Sequence, residues 1–305
     1  MKRITANIGP LCILLTAFIW GFCLVGQATG MKYMGAWSFS AVRLTLGGLS
    51  LVFAVFIIDA IKKKNTPEHK PLEEYKAAFK PGLICAPVIL SSTMFQQFGL
   101  IYTGVGKCAF VTAFYIFLVP LFSTIFGEKI KVKMWIAVML AMAGLYMITM
   151  SSGFDNINIG DVLSFGSAVT YALFIILVDR SVKKVDVLKF SAVQFTICGL
   201  LCFIPAFIWE PGQITWENIM LNPWPIIVTG VVSCALGYTI QLIGQKTTKP
   251  TTVSMILSSE TVFSMIAGMI FLHEVMLVKE YIGCAIMVIA IVLSVLPDKS
   301  TKGAL

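Results

Sequence analysis

TVSMILSSETVFSMIAGMIFL, residues 252–272, is an apolar run with one formal charge, Glu260, near its middle. About 20 apolar residues in a helix cross a hydrocarbon core of ~30 Å. At ~1.5 Å rise per residue, Glu260 falls roughly 12 Å in from Thr252, close to the bilayer midplane. An ionised carboxylate at that depth costs at least ~2.5–3.5 kcal/mol, so the group is expected to be neutral, partnered or turned to a wet cavity. Ser264, Ala267 and Gly268 share its helical face. Small residues on one face suit close helix contact or a lumen. Two roles fit: a carboxyl bonded to a neighbouring helix, or a group that handles a transported solute.

The rest of the chain is of the same kind. Of its 305 residues, 58% are hydrophobic and only 12% charged, with a mean hydropathy of +0.89. Soluble domains carry about 25% charged residues, so this composition indicates an integral membrane protein. The net charge of +8 does not point to nucleic acid, because the basic residues cluster in short loops beside apolar runs. The eight cysteines lie in or beside those runs without CxxC spacing, which predicts neither a metal site nor a disulfide framework. His69 and His273 are the only histidines, and HEVML at 273–277 lacks the second histidine of a zinc-protease motif. No phosphate-binding GxxxxGK[ST] loop occurs, so neither enzymatic chemistry nor direct ATP drive is expected, and no cofactor.

Ten apolar segments are read as spans, at 8–28, 36–58, 82–102, 107–126, 134–151, 159–178, 189–209, 224–244, 252–272 and 280–297. The first is taken as a retained span, not a cleaved signal. With both termini in the cytoplasm, 19 of the 23 basic residues face inward, three (Lys32, Lys107 and Lys279) face outward, and Arg43 lies inside the second span. That skew sets the orientation expected in a plasma (inner) membrane. Between spans two and three, Leu72, Tyr75 and Phe79 recur at helical spacing. They predict either a short helix on the inner leaflet or a solvated loop.

The two halves of the chain repeat. FSAV at 39–42 returns at 190–193, an offset of 151 that also sets LTLGGLSL (44–51) against FTICGLLC (195–202) and Trp20 against Tyr171. FGEKI (126–130) matches LHEVM (272–276) at an offset of 146, which aligns Glu128 with Glu274. The fold expected is all-α, ten transmembrane helices in two five-helix repeats, 1–153 and 154–305. Five spans is an odd number, so the repeats are inverted, an arrangement tied to alternating access with the substrate at the repeat interface.

These residues carry a family resemblance over essentially the whole chain. AFVTAFYIFLVPLFSTIFGEKIKVKMWIAVMLAMAGLYMI (109–148), LSSETVFSMIAGMIFLHE (257–274) and Ser40–Arg43 resemble EamA-type members of the drug/metabolite transporter superfamily. Thr261 stands where the family usually has Pro, which predicts a softer kink beside Glu260, and His273 replaces the Gly before Glu274. The resemblance implies export or exchange of small metabolites such as amino acids, or of drug-like molecules. A passive channel for small polar solutes is the alternative.

Candidate substrate contacts follow from residue chemistry. Glu260 anchors the site. Gln96, Gln97 and Gln241 each offer donor and acceptor to a polar solute or, equally, bond helix to helix. Trp20, Tyr115, Tyr171 and Tyr238 form either an aromatic lining or core packing. Ser259 flanks Glu260 and can bond solute or backbone. Arg43 is expected to sit in a structural ion pair, with Gln194 as its neutral counterpart in the repeat. Pro120 marks a kink, and Glu128 and Glu274 cap helix ends or gate. The cavity is expected between spans 1, 3, 4, 6, 8 and 9. Its partners would be a small-molecule substrate and the lipid bilayer, with protons as a candidate coupling ion. The sequence leaves oligomeric state open.

Overall fold

The structure, a computed structural model, describes residues 2–65, 69–103, 105–149, 157–271 and 276–296. Every regular element among them is helical. In chain order these are α1 (Lys2–Gly30), α2 (Ala36–Asn65), α3 (Pro71–Tyr102), α4 (Val105–Thr112), α5 (Tyr115–Ile125), α6 (Val132–Thr149), α7 (Ile159–Val182), α8 (Val187–Trp209), α9 (Trp216–Leu221) and α10 (Pro223–Ile227). A π-helical stretch, Val228–Gly237, leads into α11 (Tyr238–Gln245), followed by α12 (Pro250–Leu257), α13 (Glu260–Phe271) and α14 (Val278–Val295).

Eight helical stretches are long and apolar enough to cross a membrane. Two of the ten expected spans are absent from that set for visible reasons. The described apolar part of α1 is only Ile8–Cys23, and the run at 252–272 is divided between α12 and α13. An interruption at Ala113–Phe114 also parts α4 from α5.

Local chemistry sets the helix starts. Asn158 and Asp161 form a capping box at α7, with each side chain accepting the other's backbone N–H at 3.1 and 2.9 Å. Asp186 caps α8 by accepting the N–H of Lys189 at 3.1 Å. Leu72, Tyr75 and Phe79 do not form a separate interfacial helix. They belong to α3, which runs unbroken from Pro71 into the membrane through Pro81 and Pro87. Pro71 at the first helical position starts α3 early.

Close approach of backbones organises the core. A Cβ added at Gly48 of α2 would fall 2.7 Å from the nitrogen of Thr196 on α8, and one at Gly199 of α8 would fall 2.7 Å from the nitrogen of Thr45 on α2. Only a residue without a side chain permits that spacing. The same occurs between α6 and α14, where an added Cβ at Gly144 would sit 2.8 Å from the carbonyl oxygen of Gly283.

The α2–α8 pair is tied at both ends. At one end the Glu210 carboxylate accepts the N–H groups of Trp37 (3.1 Å) and Ser38 (2.7 Å), at the start of α2. At the other, the buried Lys189 ammonium lies 2.9 Å from Asp59 and 2.5 Å from Glu74. His69 joins these carboxylates, at 3.0 Å from Asp59 and 3.5 Å from Glu74. Asp59, His69 and Glu74 have the donor types of a cation site, but the lysine already supplies the positive charge between the two carboxylates.

Candidate functional site

A small cavity of about 70 Å³ lies where α1, α2, α3, α4, α5, α7, the π-helical stretch, α11 and α13 meet. Trp20, Cys23 and Gln27 reach it from α1, spaced by three and four residues so that they share one helical face. Glu260 enters from the first turn of α13. The helix is interrupted just before it. Ser258 Oγ donates to the Met255 carbonyl at 2.6 Å and Ser259 Oγ to the Ile256 carbonyl at 2.7 Å. Such back-bonding bends helices. The helix is thus interrupted beside Glu260 although Thr261 stands where Pro is usual, and both residues at the interruption are serines bonded to their own backbone.

The π-helical turn supplies Ser233 and Cys234, and Tyr238 follows at the start of α11. Wide turns of this kind leave carbonyls to be satisfied by neighbours. Here α1 does so: Trp20 Nε1–H donates to the Ser233 carbonyl at 3.3 Å and Thr16 Oγ1–H to the Gly237 carbonyl at 3.2 Å. Aromatic rings form one wall. The Trp20 ring lies 4.5 Å from that of Tyr238 and 6.2 Å from that of Tyr171, and Tyr115 meets Tyr171 edge-on at 5.0 Å. Tilted and edge-on pairs at such distances are the favoured arrangements.

The opposite side is polar. Gln27 Nε2 donates to Gln96 Oε1 (3.1 Å) and Gln97 Oε1 (3.0 Å). Arg43, only 3% exposed, also lines the cavity. Its Nη2 donates to Gln97 Oε1 at 3.5 Å, its Nη1 to Cys234 Sγ at 3.7 Å, and the guanidinium lies 5.4 Å from the centre of the Phe39 ring. Its Nε has no partner. Among the described residues no carboxylate pairs with Arg43, so the expected structural ion pair is not formed there. Among the same residues, the Glu260 carboxylate accepts no hydrogen bond and forms no ion pair. The two charges share one cavity but not a bond.

Six of the expected substrate contacts line this space: Trp20, Gln96, Tyr115, Tyr171, Tyr238 and Glu260. Three lie behind it. Gln97 is fully buried under Gln27. Gln241, also fully buried, accepts the Tyr171 hydroxyl at 3.4 Å and donates to Gln245 at 3.3 Å. Ser259 is turned to its own helix backbone. Pro120 is buried within α5, six residues beyond the interruption at Phe114, and Glu128 is exposed after the Gly127 turn (φ 92°). Glu274 lies outside the described residues.

Sequence reasoning placed the lining in spans 1, 3, 4, 6, 8 and 9, and side chains from all six are present. It missed span 2, which contributes Arg43, and it missed Gln27, Ser92, Ser167 and Ser233. A signal for Gln27 was available, since it falls seven residues after Trp20 on the same face of α1.

The arrangement has known relatives. The family model for the EamA-like transporter family matches residues 7–150 and again 158–296. A transporter of Bacillus subtilis, YvbV, described as uncharacterized, is 26% identical over 313 aligned positions covering 100% of this chain and 97% of that protein. An uncharacterized transporter of Archaeoglobus fulgidus is 24% identical over 96% of this chain and 86% of its own length. A protein of known crystal structure shares the fold at a TM-score of 0.75 and 14% identity, covering 97% of this chain and 99% of that one. Matched twice and almost end to end, this apolar helical chain belongs to the EamA-like transporter family.

Proposed function

We propose that the protein is a secondary transporter that moves a small zwitterionic organic solute, amino acids being the nearest class, through the cavity between Glu260 and Arg43. One observation carries this reading. A buried guanidinium and the Glu260 carboxylate line the same space, and neither is neutralised by the described protein residues. Charges withdrawn from water are costly unless paired. A solute with an ammonium and a carboxylate group neutralises both at once, while the Trp20, Tyr171 and Tyr238 rings suit a cation or an apolar side chain. The cavity, about 70 Å³, is well below the ~300–1,000 Å³ of drug-sized sites, so the helices around it must separate to admit such a solute. Alternating access supplies that separation.

Ten spans arranged as two inverted repeats, 1–153 and 154–305, complete the proposal. Glu260 of the 252–272 run lines the cavity although two helices share the run, and the two family matches divide the chain near residue 154. We further assign both termini to the cytoplasm of a plasma membrane, an export direction, and protons as the coupling ion.

The test is a pair of variants assayed in proteoliposomes. Arg43→Gln is expected to cut uptake of an amino acid about 10–100-fold while sparing its decarboxylated amine, since a hydrogen bond to a charged group is worth ~1.5–3 kcal/mol. Glu260→Gln is expected to do the reverse, sparing the deaminated acid. Equal losses for all three solutes with either variant would overturn the zwitterion assignment. Saturable counterflow of labelled solute is expected of a carrier, and its absence would favour a channel. Uptake rates that ignore an imposed pH gradient would remove the proton.

A further inference from the structure

Gln194 of α8 is fully buried, and among the described residues neither end of its side-chain amide has a hydrogen-bond partner. Ser191, one turn earlier on the same face of α8, is also fully buried with its hydroxyl unpartnered. An amide that ties helix to helix shows its bond, as Gln27 of α1 does to Gln97 of α3 at 3.0 Å and Gln245 of α11 does to the Ile175 carbonyl of α7 at 3.3 Å. Gln194 shows none. Withdrawn from water and unpaired, it costs the desolvation of both a donor and an acceptor. A leucine there would avoid that cost, so packing alone does not account for the amide.

Its position does. Gln194 is related to Arg43 by the offset of 151. Arg43 lies seven residues beyond Ala36, the first of α2, and Gln194 seven beyond Val187, the first of α8. Both are thus about 10 Å along their helices at ~1.5 Å per residue. The packing around them repeats as well. A Cβ added at Gly9 of α1 would fall 3.0 Å from the carbonyl oxygen of Gly244 on α11, and one at Gly160 of α7 would fall 2.9 Å from that of Gly99 on α3. Gly9 and Gly160 are again 151 apart. Arg43 lines the cavity and Gln194 does not. In an inverted repeat the two positions lie at equal depths from opposite membrane faces, and the side that is open in one state is closed in the other. A group that meets solute only in the second state is buried in the first, with no protein bond to give up.

We propose that Gln194 is the solute contact of the opposite-facing state, its amide donating to the solute carboxylate there as the Arg43 guanidinium does in the cavity described above. This rests on the reading of Arg43 as the carboxylate contact and on alternating access between inverted repeats. The two contacts are unequal. A neutral amide holds a carboxylate less tightly than a guanidinium does, so the solute is bound more firmly on the Arg43 side and released more easily on the Gln194 side.

Two measurements test this. Q194L is expected to keep or raise the melting temperature in detergent, because an unpaired amide is removed. It is also expected to cut proteoliposome uptake of an equimolar mixture of labelled amino acids about 2–10-fold, the range for one neutral hydrogen bond. A lowered melting temperature would mean that the amide is a structural bond, and wild-type uptake would mean that solute does not meet it; either overturns the proposal. The second measurement uses a membrane-impermeant maleimide on right-side-out and inside-out vesicles, with the labelled peptides located by mass spectrometry. Q194C is expected to react from the face opposite to the one that labels Cys23, which lines the cavity. A192C, on the side of α8 that carries Thr196 and Gly199 against α2, is expected to stay unlabelled. Labelling of Cys23 with none of Q194C, or of A192C as fast as Q194C, overturns this inference and leaves the Arg43 cavity standing. Wild-type protein that takes up none of the mixture defeats the underlying zwitterion reading instead, and this inference with it.

Discussion

Arg43 is held by backbone as much as by its side-chain partners. A Cβ added at Gly230 would fall 2.6 Å from the carbonyl oxygen of Arg43, and one at Gly47 would fall 2.6 Å from the carbonyl oxygen of Gly230. The π-helical stretch and α2 therefore touch through main chain beside the guanidinium. Gly230→Ala is expected to lower stability by about 1–3 kcal/mol, the usual cost of overpacking, and to weaken solute binding, since the displaced backbone positions Arg43. Gly166→Ala serves as the comparison, because its added Cβ would meet the Phe95 ring at an ordinary 3.4 Å. Melting temperatures in detergent would show a drop for the first and little change for the second. Glu260 and the aromatic rings were legible at this scale because a charge or a large ring in an apolar run stands out. The Arg43 environment was not, because its partners Gln97 and Cys234 come from helices 54 and 191 residues away in sequence.

Among the elements, two interrupted helices decide the cavity. At the offset of 146 that aligns Glu128 with Glu274, the break at Ala113–Phe114 falls on Ser259–Glu260, one residue along from the break at Ser258–Ser259. Phe114 is thereby the counterpart of Glu260. Removing both hydroxyls, in S258A/S259A, is expected to let α12 and α13 join, with stability unchanged or higher and uptake reduced severalfold; uptake at the wild-type rate would show that the bend is dispensable. At the far end of α8, Lys189 is 1% exposed and binds two carboxylates. Lys189→Met is expected to cost about 3 kcal/mol, the low end for a broken buried pair, because Glu74 is 37% exposed and its share is screened. Adding Asp59→Asn to that variant is expected to restore part of the loss in a melting experiment. The helices themselves were readable from hydropathy. The breaks were not, since hydropathy does not register whether a serine hydroxyl bonds its own backbone.

Across the whole molecule, contacts recur in reciprocal pairs. Gly48 meets Thr196 while Gly199 meets Thr45, and both residues of the first contact shift to the second by 151 positions. Glu210 accepts the N–H of Ser38 while Asp59 binds Lys189, related by the same 151. Such an exchange is what a two-fold axis between α2 and α8 produces, and it supports the proposed inverted repeat. Gly48→Ala and Gly199→Ala are accordingly expected to destabilise to a similar extent, each by about 1–3 kcal/mol as overpacking does. Cysteines introduced at Lys131 and Lys279 are expected to react with a membrane-impermeant maleimide from opposite sides; labelling from one side would defeat the inversion. The sequence by itself determined the membrane class, most of the apolar spans, the twofold family repeat and the single acidic residue in the 252–272 run, because hydropathy and spacing are properties of a single chain in order. Only the tertiary structure decided that Arg43 faces the same cavity as Glu260 without a described carboxylate partner, that Gln97 and Gln241 lie behind the wall, and that the Gln194 amide is buried without a described partner. Those outcomes depend on which helix faces meet, and packing between segments distant in sequence sets that.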